Sequence, residues 1–287
     1  MHGSPTLSHR RIAHRAALVV VIMGVSFHSV MGSTRFDLPA LVNTVVGTAL
    51  VAGGASALNQ VAERDVDRLM RRTRLRPLPD GRLRAPVAAG FALALSVLGL
   101  GELALGANGM AAAVALTTLL TYLLVYTPLK KRTSLSTLIG GVPGALPAVI
   151  GWAAARGTLS LEAWVLFGIV FLWQMPHFLS IAWMCRDDYA RAGLPVLPVV
   201  EPDGRSTAAE VLLYLAALVP MSLVPTLIGL AGSVYFAGAA VLGVALLALG
   251  VRFAVHRSDA TARALFLGSI SYLPLLWGLM LVNHVGN

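Results

Sequence analysis

Nine runs of predominantly apolar residues, each about 18 to 22 long, limit this chain more than any other feature, because a helix of that length crosses a hydrocarbon core roughly 30 Å thick. They lie near residues 16–33, 38–60, 85–106, 108–127, 135–153, 160–183, 207–229, 232–251 and 264–283. A soluble domain of 287 residues cannot hide that much apolar surface, since 57% of the residues are hydrophobic and 12% charged. In lipid the backbone must satisfy its own polar groups, so the expected fold is all-α and integral to the membrane, with nine transmembrane helices. No soluble segment or long linker interrupts the runs, and residues 1–287 read as a single integral-membrane domain. The first run follows a short basic segment, as in a signal peptide. Eight more spans follow and no small-residue cleavage site ends it, so it reads as a retained helix.

Orientation follows from the basic residues, because short loops rich in Lys and Arg stay in the cytoplasm. Of the 22 Lys and Arg, only Arg35 and Arg156 fall on one side of a nine-span topology, leaving 20 on the other. The N-terminus is therefore expected inside and the C-terminus outside a bacterial cytoplasmic (inner) membrane. The formal charge of +9 follows from this asymmetry and from attraction to anionic membrane lipid, with no nucleic-acid partner implied. The single Cys185 forms no internal disulfide and fits a reduced thiol near a cytoplasmic helix end.

Unusual polarity gathers on that basic side. Asn59, Glu63 and Asp67 recur at i, i+4 and i+8, so on a helix they stack along one face. Like-charged carboxylates so placed repel unless a cation sits between them, and an all-oxygen set suits Mg²⁺, which takes one or two carboxylates together with substrate phosphates. Arg68, Arg71, Arg72, Arg74 and Arg76 follow at once and can satisfy phosphate oxygens. A loop that merely obeys the positive-inside rule explains the arginines but not the ladder of Asn and acids.

A second polar group ends the sixth run: Trp173-Gln174-Met175-Pro176-His177-Phe178, then Asp187-Asp188-Tyr189. Pro176 frees backbone groups and places His177 toward a polar interior; a histidine satisfied by an interhelical hydrogen bond is the plainer reading. Asp187 and Asp188 either cap a loop or complete a Mg²⁺ site opposite the ladder. A third block runs from Tyr126 to Thr133 with Lys130 as a point charge for phosphate, followed by the small and proline residues Gly140, Gly141, Pro143, Gly144 and Pro147. The first and second acidic ends lie four helices apart and both precede proline-rich segments, a faint repeat that would bring two polar ends together around one central cavity open to the cytoplasmic face.

Taken together these motifs resemble the UbiA prenyltransferase superfamily, and within it the haem O synthase branch. The branch is suggested by Met70, Arg72, Thr73, Arg76 and Pro77, by the Tyr126 to Thr133 and Ile139 to Pro147 blocks, and by Trp173 to Phe178 followed by Asp188, Tyr189, Ala192, Gly193 and Pro195. The resemblance implies a UbiA-type bundle that moves a farnesyl group from farnesyl diphosphate to a vinyl group of protohaem IX, with Mg²⁺ as cofactor and water adding to the product. It assigns Asn59, Glu63 and Asp67 to metal and diphosphate, with Asn59 and Asp67 needed for catalysis. Arg72, Arg76 and Lys130 become diphosphate contacts, Asp188 a metal ligand, and His177 a catalytic or haem-facing residue, with haem ligation and proton transfer both open. Contact with a haem A synthase or terminal oxidase assembly is a further implication. Glu63 stands where many relatives carry Asp, Ser136 where Asn is frequent, and Ala148 where a second proline is common.

Rival readings fit parts of the same pattern. An aromatic acceptor such as a quinone precursor would use the same first motif, and a secondary transporter would also carry broken helices, although its acids would lie at mid-membrane. An electron-transfer haem protein would need paired helical histidines, which the pattern does not supply.

Overall fold

The computed structural model describes residues 37–285, so the expected span at 16–33 and Arg35 lie outside the described residues. Eight described helices are long and apolar enough to cross a membrane. They are α1 (Leu38–Leu69), α2 (Ala85–Gly106), α3 (Gly109–Leu129), α4 (Ser136–Arg156), α5 (Leu161–Met184), α8 (Arg205–Leu227), α9 (Ser233–His256) and α10 (Asp259–Val282). Two short helices, α6 (Arg186–Arg191) and α7 (Leu197–Val200), lie between α5 and α8. Among the described residues there is no strand, only an isolated bridge between Ala231 and His284. The protein is a multi-pass, all-α membrane protein.

The element that differs most from its apolar run is α1. Hydrophobicity stops near residue 60, but the helix continues to Leu69 and reaches 32 residues. At about 1.5 Å per residue that is roughly 48 Å, well beyond the hydrocarbon layer, so the last turns project past it with Asn59, Glu63 and Asp67 on one buried stripe. The start of α1 is fixed by Asp37, whose side chain accepts from the Ala40 amide at 3.0 Å.

Helices α1 and α2 meet backbone to backbone. A Cβ on Gly99 would lie 2.7 Å from the Gly47 carbonyl oxygen and from the Val51 amide, so only glycine permits this approach. In lipid, where apolar burial gives no driving force between helices, such closeness supplies the dispersion contacts that hold a pair together.

Helices α4 and α5 form the centre: buried residues make up 61% and 56% of their apolar windows, against 28% for α1 and α2. The small residues of α4 are the reason. A Cβ on Gly140 would meet the Tyr126 ring of α3, on Gly141 Met175 and Phe171 of α5, and on Gly144 the Gln174 amide of α5. Gln174 donates to the Gly141 carbonyl at 2.6 Å, tying the two helices at their closest approach. On its other side α5 packs against α8 and α10. There Ser222 of α8, Tyr235 of α9 and Tyr272 of α10 form a satisfied buried network, with Tyr235 donating to the Ser222 carbonyl at 2.9 Å and the Ser222 and Tyr272 hydroxyls 2.7 Å apart.

Helix ends alternate between two faces. The longer connections 70–84, 130–135 and 185–204 share one face with every described Lys and Arg except Arg156. Connections on the opposite face are short and tightly stitched: Asn108 caps α3 through the Ala111 amide and donates to the Ala153 and Ala154 carbonyls of α4.

Candidate active site at the charged face

The ladder on α1 forms the floor of this region. Asn59 Nδ2 donates to Glu63 Oε2 at 3.1 Å, and Thr127 of α3 donates its hydroxyl to Asn59 Oδ1 at 2.9 Å. These two bonds fix the Asn59 amide, since only its nitrogen can donate to a carboxylate. Lys130, one turn past Tyr126, donates to the same Glu63 oxygen at 3.0 Å. It comes there from the end of α3, which passes through a π-helical stretch at Thr121–Tyr126 with the Tyr122 and Tyr126 rings stacked at 5.3 Å. Such wide turns re-aim side chains and often occur at functional sites. One rung further, Arg76 donates to Asp67 Oδ2 at 2.8 Å, and Thr73 closes the loop by donating to the Asp67 carbonyl at 2.8 Å.

Both carboxylates are almost wholly covered, with side chains 4% exposed for Glu63 and 2% for Asp67, while Lys130 is 17% and Arg76 42% exposed. Glu63 Oε1 is buried without a hydrogen-bond partner among the described residues. A carboxylate oxygen stripped of water and left unpaired is costly, and a ligand that supplied the missing partner would relieve that cost. The ladder carries oxygens of Glu63, Asp67 and Asn59, the kind of ligand a hard divalent cation takes, with the Asn59 oxygen now accepting from Thr127. Among the described residues no three His, Cys, Asp or Glu side chains gather closely enough to hold a metal by themselves, which fits an ion whose remaining ligands are substrate phosphates and water.

The second acidic end meets the first. Asp188 accepts from the Arg71 and Arg72 amides at 3.3 and 3.4 Å and pairs with Arg191, so it clasps the start of the 70–84 loop. It does not join Glu63 and Asp67 in one cluster. Asp187 is exposed. Arg72 turns to Tyr189, its guanidinium 5.4 Å from the ring centroid and one nitrogen 3.3 Å from the hydroxyl. Nearby, burial pushes the Cys185 thiol pKa up, with Arg72 opposing and Asp188 adding to the shift.

His177 lies elsewhere, between α5 and α10. Trp173 and Phe266 stack with its ring at 5.1 and 5.0 Å, and Phe178 meets it edge-on at 5.7 Å. Its Nδ1 is 2.9 Å from the Ser269 hydroxyl. Thr127, Gln174 and Ser269 are therefore polar residues that the sequence does not single out. Thr127 and Gln174 had a signal, their places inside the Tyr126 to Thr133 and Trp173 to Phe178 blocks; Ser269 had none.

The chain matches the model of the UbiA prenyltransferase family over residues 17–279. It is 53% identical to the protoheme IX farnesyltransferase of Solibacter usitatus over 252 residues, which covers 88% of this chain and 86% of that one. Among solved structures, a UbiA homologue from Aeropyrum pernix K1 superposes with a TM-score of 0.73 at 22% identity, covering 92% of this chain and 97% of that one. A UbiA homologue from Archaeoglobus fulgidus bound to GPP and Mg²⁺ gives a TM-score of 0.66 at 17% identity, with 93% and 97% covered.

Proposed function

Because this chain belongs to the UbiA prenyltransferase family and is a membrane-embedded prenyltransferase, we propose that it transfers a farnesyl group from farnesyl diphosphate to a vinyl group of protohaem IX, with addition of water, making haem O. One structural observation carries the donor half of this reading: the buried, unpartnered Glu63 Oε1 between Asn59 and Asp67, flanked by Lys130 and Arg76. The acceptor follows from the 53% identical relative that bears that activity in its name.

Asn59, Glu63 and Asp67 would hold Mg²⁺, which when bound neutralises charge on the departing diphosphate. Lys130 and Arg76 exchange their carboxylate partners for phosphate oxygens, and Arg72 swings from Tyr189 to a third. The bond between the allylic carbon and the diphosphate oxygen breaks with its electrons going to oxygen. The vinyl group attacks the carbon, leaving a cation beside the porphyrin, and water adds to it with loss of a proton. Trp173 and Phe178 offer ring faces to the positive charge. Asp188 acts by holding the Arg71 and Arg72 amides, with any metal contact requiring release of that clasp.

The charged face is cytoplasmic in this reading, in a bacterial inner membrane, with the N-terminus inside. A reporter fused after Asn287 then reads exterior, and a cytoplasmic signal would reverse the orientation. The activity itself is tested by mass spectrometry of haem extracted after incubating the purified protein with farnesyl diphosphate, Mg²⁺ and haem. A hydroxyethylfarnesyl product is expected. Unmodified haem alongside prenylation of an aromatic quinone precursor would replace protohaem as the acceptor.

A further inference from the structure

The Ser269 hydroxyl has one proton, and it is given to the Phe266 carbonyl at 2.7 Å within α10. With that proton on the carbonyl, the 2.9 Å contact with His177 Nδ1 has the ring nitrogen donating. In this assignment Nδ1 carries the proton and Nε2 keeps a bare lone pair. Among the described residues Nε2 has no hydrogen-bond partner, and it is not among the fully buried polar atoms. Trp173 and Phe266 both stack with the ring, and Trp173 is itself held by its indole N–H on the Ser269 carbonyl at 2.7 Å. The imidazole can neither flip nor tilt freely, and the Nε2 edge is what it offers.

We propose that Ser269 is a positioning residue that presents His177 Nε2 as an axial ligand to the iron of the porphyrin acceptor. The inference rests on the reading that protohaem is that acceptor. Two observations favour ligation over proton shuttling. The polar partner of His177 is a neutral hydroxyl rather than a carboxylate, and its ring packs against aromatic rings, so no acid stands beside it to exchange a proton. A histidine that binds metal through one nitrogen commonly donates the other N–H to an orienting acceptor, and Ser269 fills that role. Ligation would hold the macrocycle in one place while its vinyl group reacts at the charged end, which is worth more to the rate than affinity alone.

The test uses the full-length protein in detergent with ferrous protohaem, read by the iron–histidine stretch in resonance Raman and by haem affinity. A five-coordinate histidine signature is expected, absent in His177→Ala and restored by added imidazole. Ser269→Ala should keep the ligand but weaken haem binding roughly 10- to 100-fold, the usual cost of losing an orienting partner, and Ser269→Thr should recover most of it. Mg²⁺-dependent farnesyl diphosphate binding reports the fold of each variant, and His177→Gln is read in the same way if the alanine variant loses it. Haem bound with the same spectrum and affinity in wild type and His177→Ala would overturn ligation while leaving protohaem as the acceptor. Unchanged affinity in Ser269→Ala would overturn the positioning role. A wild-type protein that binds no haem would remove the acceptor reading, and this inference with it.

Discussion

The two polar regions of this protein are held together by different physics. At the end of α1, Glu63 and Asp67 are locked by Lys130 and Arg76 at 3.0 and 2.8 Å, charge against charge, with one carboxylate oxygen left bare. Between α5 and α10, His177 is held by two stacked rings and a neutral hydroxyl. The first region is complete only when a ligand arrives, because the cations that neutralise the acids are the groups that a diphosphate would claim. The second needs no exchange of partners. The contrast says that donor binding trades ion pairs and should respond to metal and salt, whereas the acceptor end is preorganised and should respond to shape and hydrogen bonding.

The widest separation between the two regions is expected from Asp67→Ala and Asn59→Ala. Either should lower turnover by at least about 10²- to 10³-fold, the scale on which preorganised charge-stabilising groups act, and chelation of divalent metal should do the same to the wild type. Haem affinity should stay within a few-fold. Full activity in either variant at low Mg²⁺ would remove the ladder from the site and end the contrast.

Lys130→Ala should have the next largest effect, raising KM for farnesyl diphosphate about 10- to 100-fold as one charge-assisted hydrogen bond is lost. Its partner Glu63 is then a buried carboxylate with no cation beside it and only Asn59 donating to Oε2, so the variant should be rescued in part by raised Mg²⁺. An unchanged KM would mean that Lys130 neutralises Glu63 and does nothing for substrate.

A smaller effect is expected from Thr127→Val, which removes the hydroxyl that fixes Asn59 Oδ1. Loss of one neutral hydrogen bond predicts a roughly two- to tenfold fall in kcat/KM, concentrated in the Mg²⁺ dependence. An identical fall at all metal concentrations would make Thr127 structural only. Least of all, the thiol of Cys185 should react with iodoacetamide at neutral pH a few-fold more slowly than a free cysteine, because burial raises its pKa and thins the thiolate. Reaction at the free rate would show the charged end more open than the structure has it.

Much of this is legible in the sequence where the signal is periodic. Eight of nine apolar runs correspond to described helices, and the four-residue spacing of Asn59, Glu63 and Asp67 is enough by itself to put them on one helical face. Hydrophobicity could not tell that α1 goes on to Leu69, because helix and apolar run part company once the chain leaves the lipid. Nor could it reveal the π-helical stretch at Thr121–Tyr126, whose residues look like any other span. The pairing of cations was hidden for another reason. Arg72, Arg76 and Lys130 carry the same charge, and only the fold sends one to Tyr189, one to Asp67 and one to Glu63. Asp188 is similar: spacing offers it as a loop cap or a metal ligand, but the position of α6 sets it under the Arg71 and Arg72 amides. Ser269 had no local signal, since a lone serine in an apolar helix is common and its meaning lies in the histidine 92 residues away.

The central claim is that donor and acceptor are bound by separate regions, one by charge exchange and one at the His177 ring held between α5 and α10. Equilibrium binding of farnesyl diphosphate with Mg²⁺, and separately of haem, to purified Asp67→Ala tests it most directly. Diphosphate binding is expected to fall to the level seen with chelator while haem binds as in wild type. Wild-type affinity for the diphosphate, or equal loss of both ligands in a protein that remains folded, would contradict it.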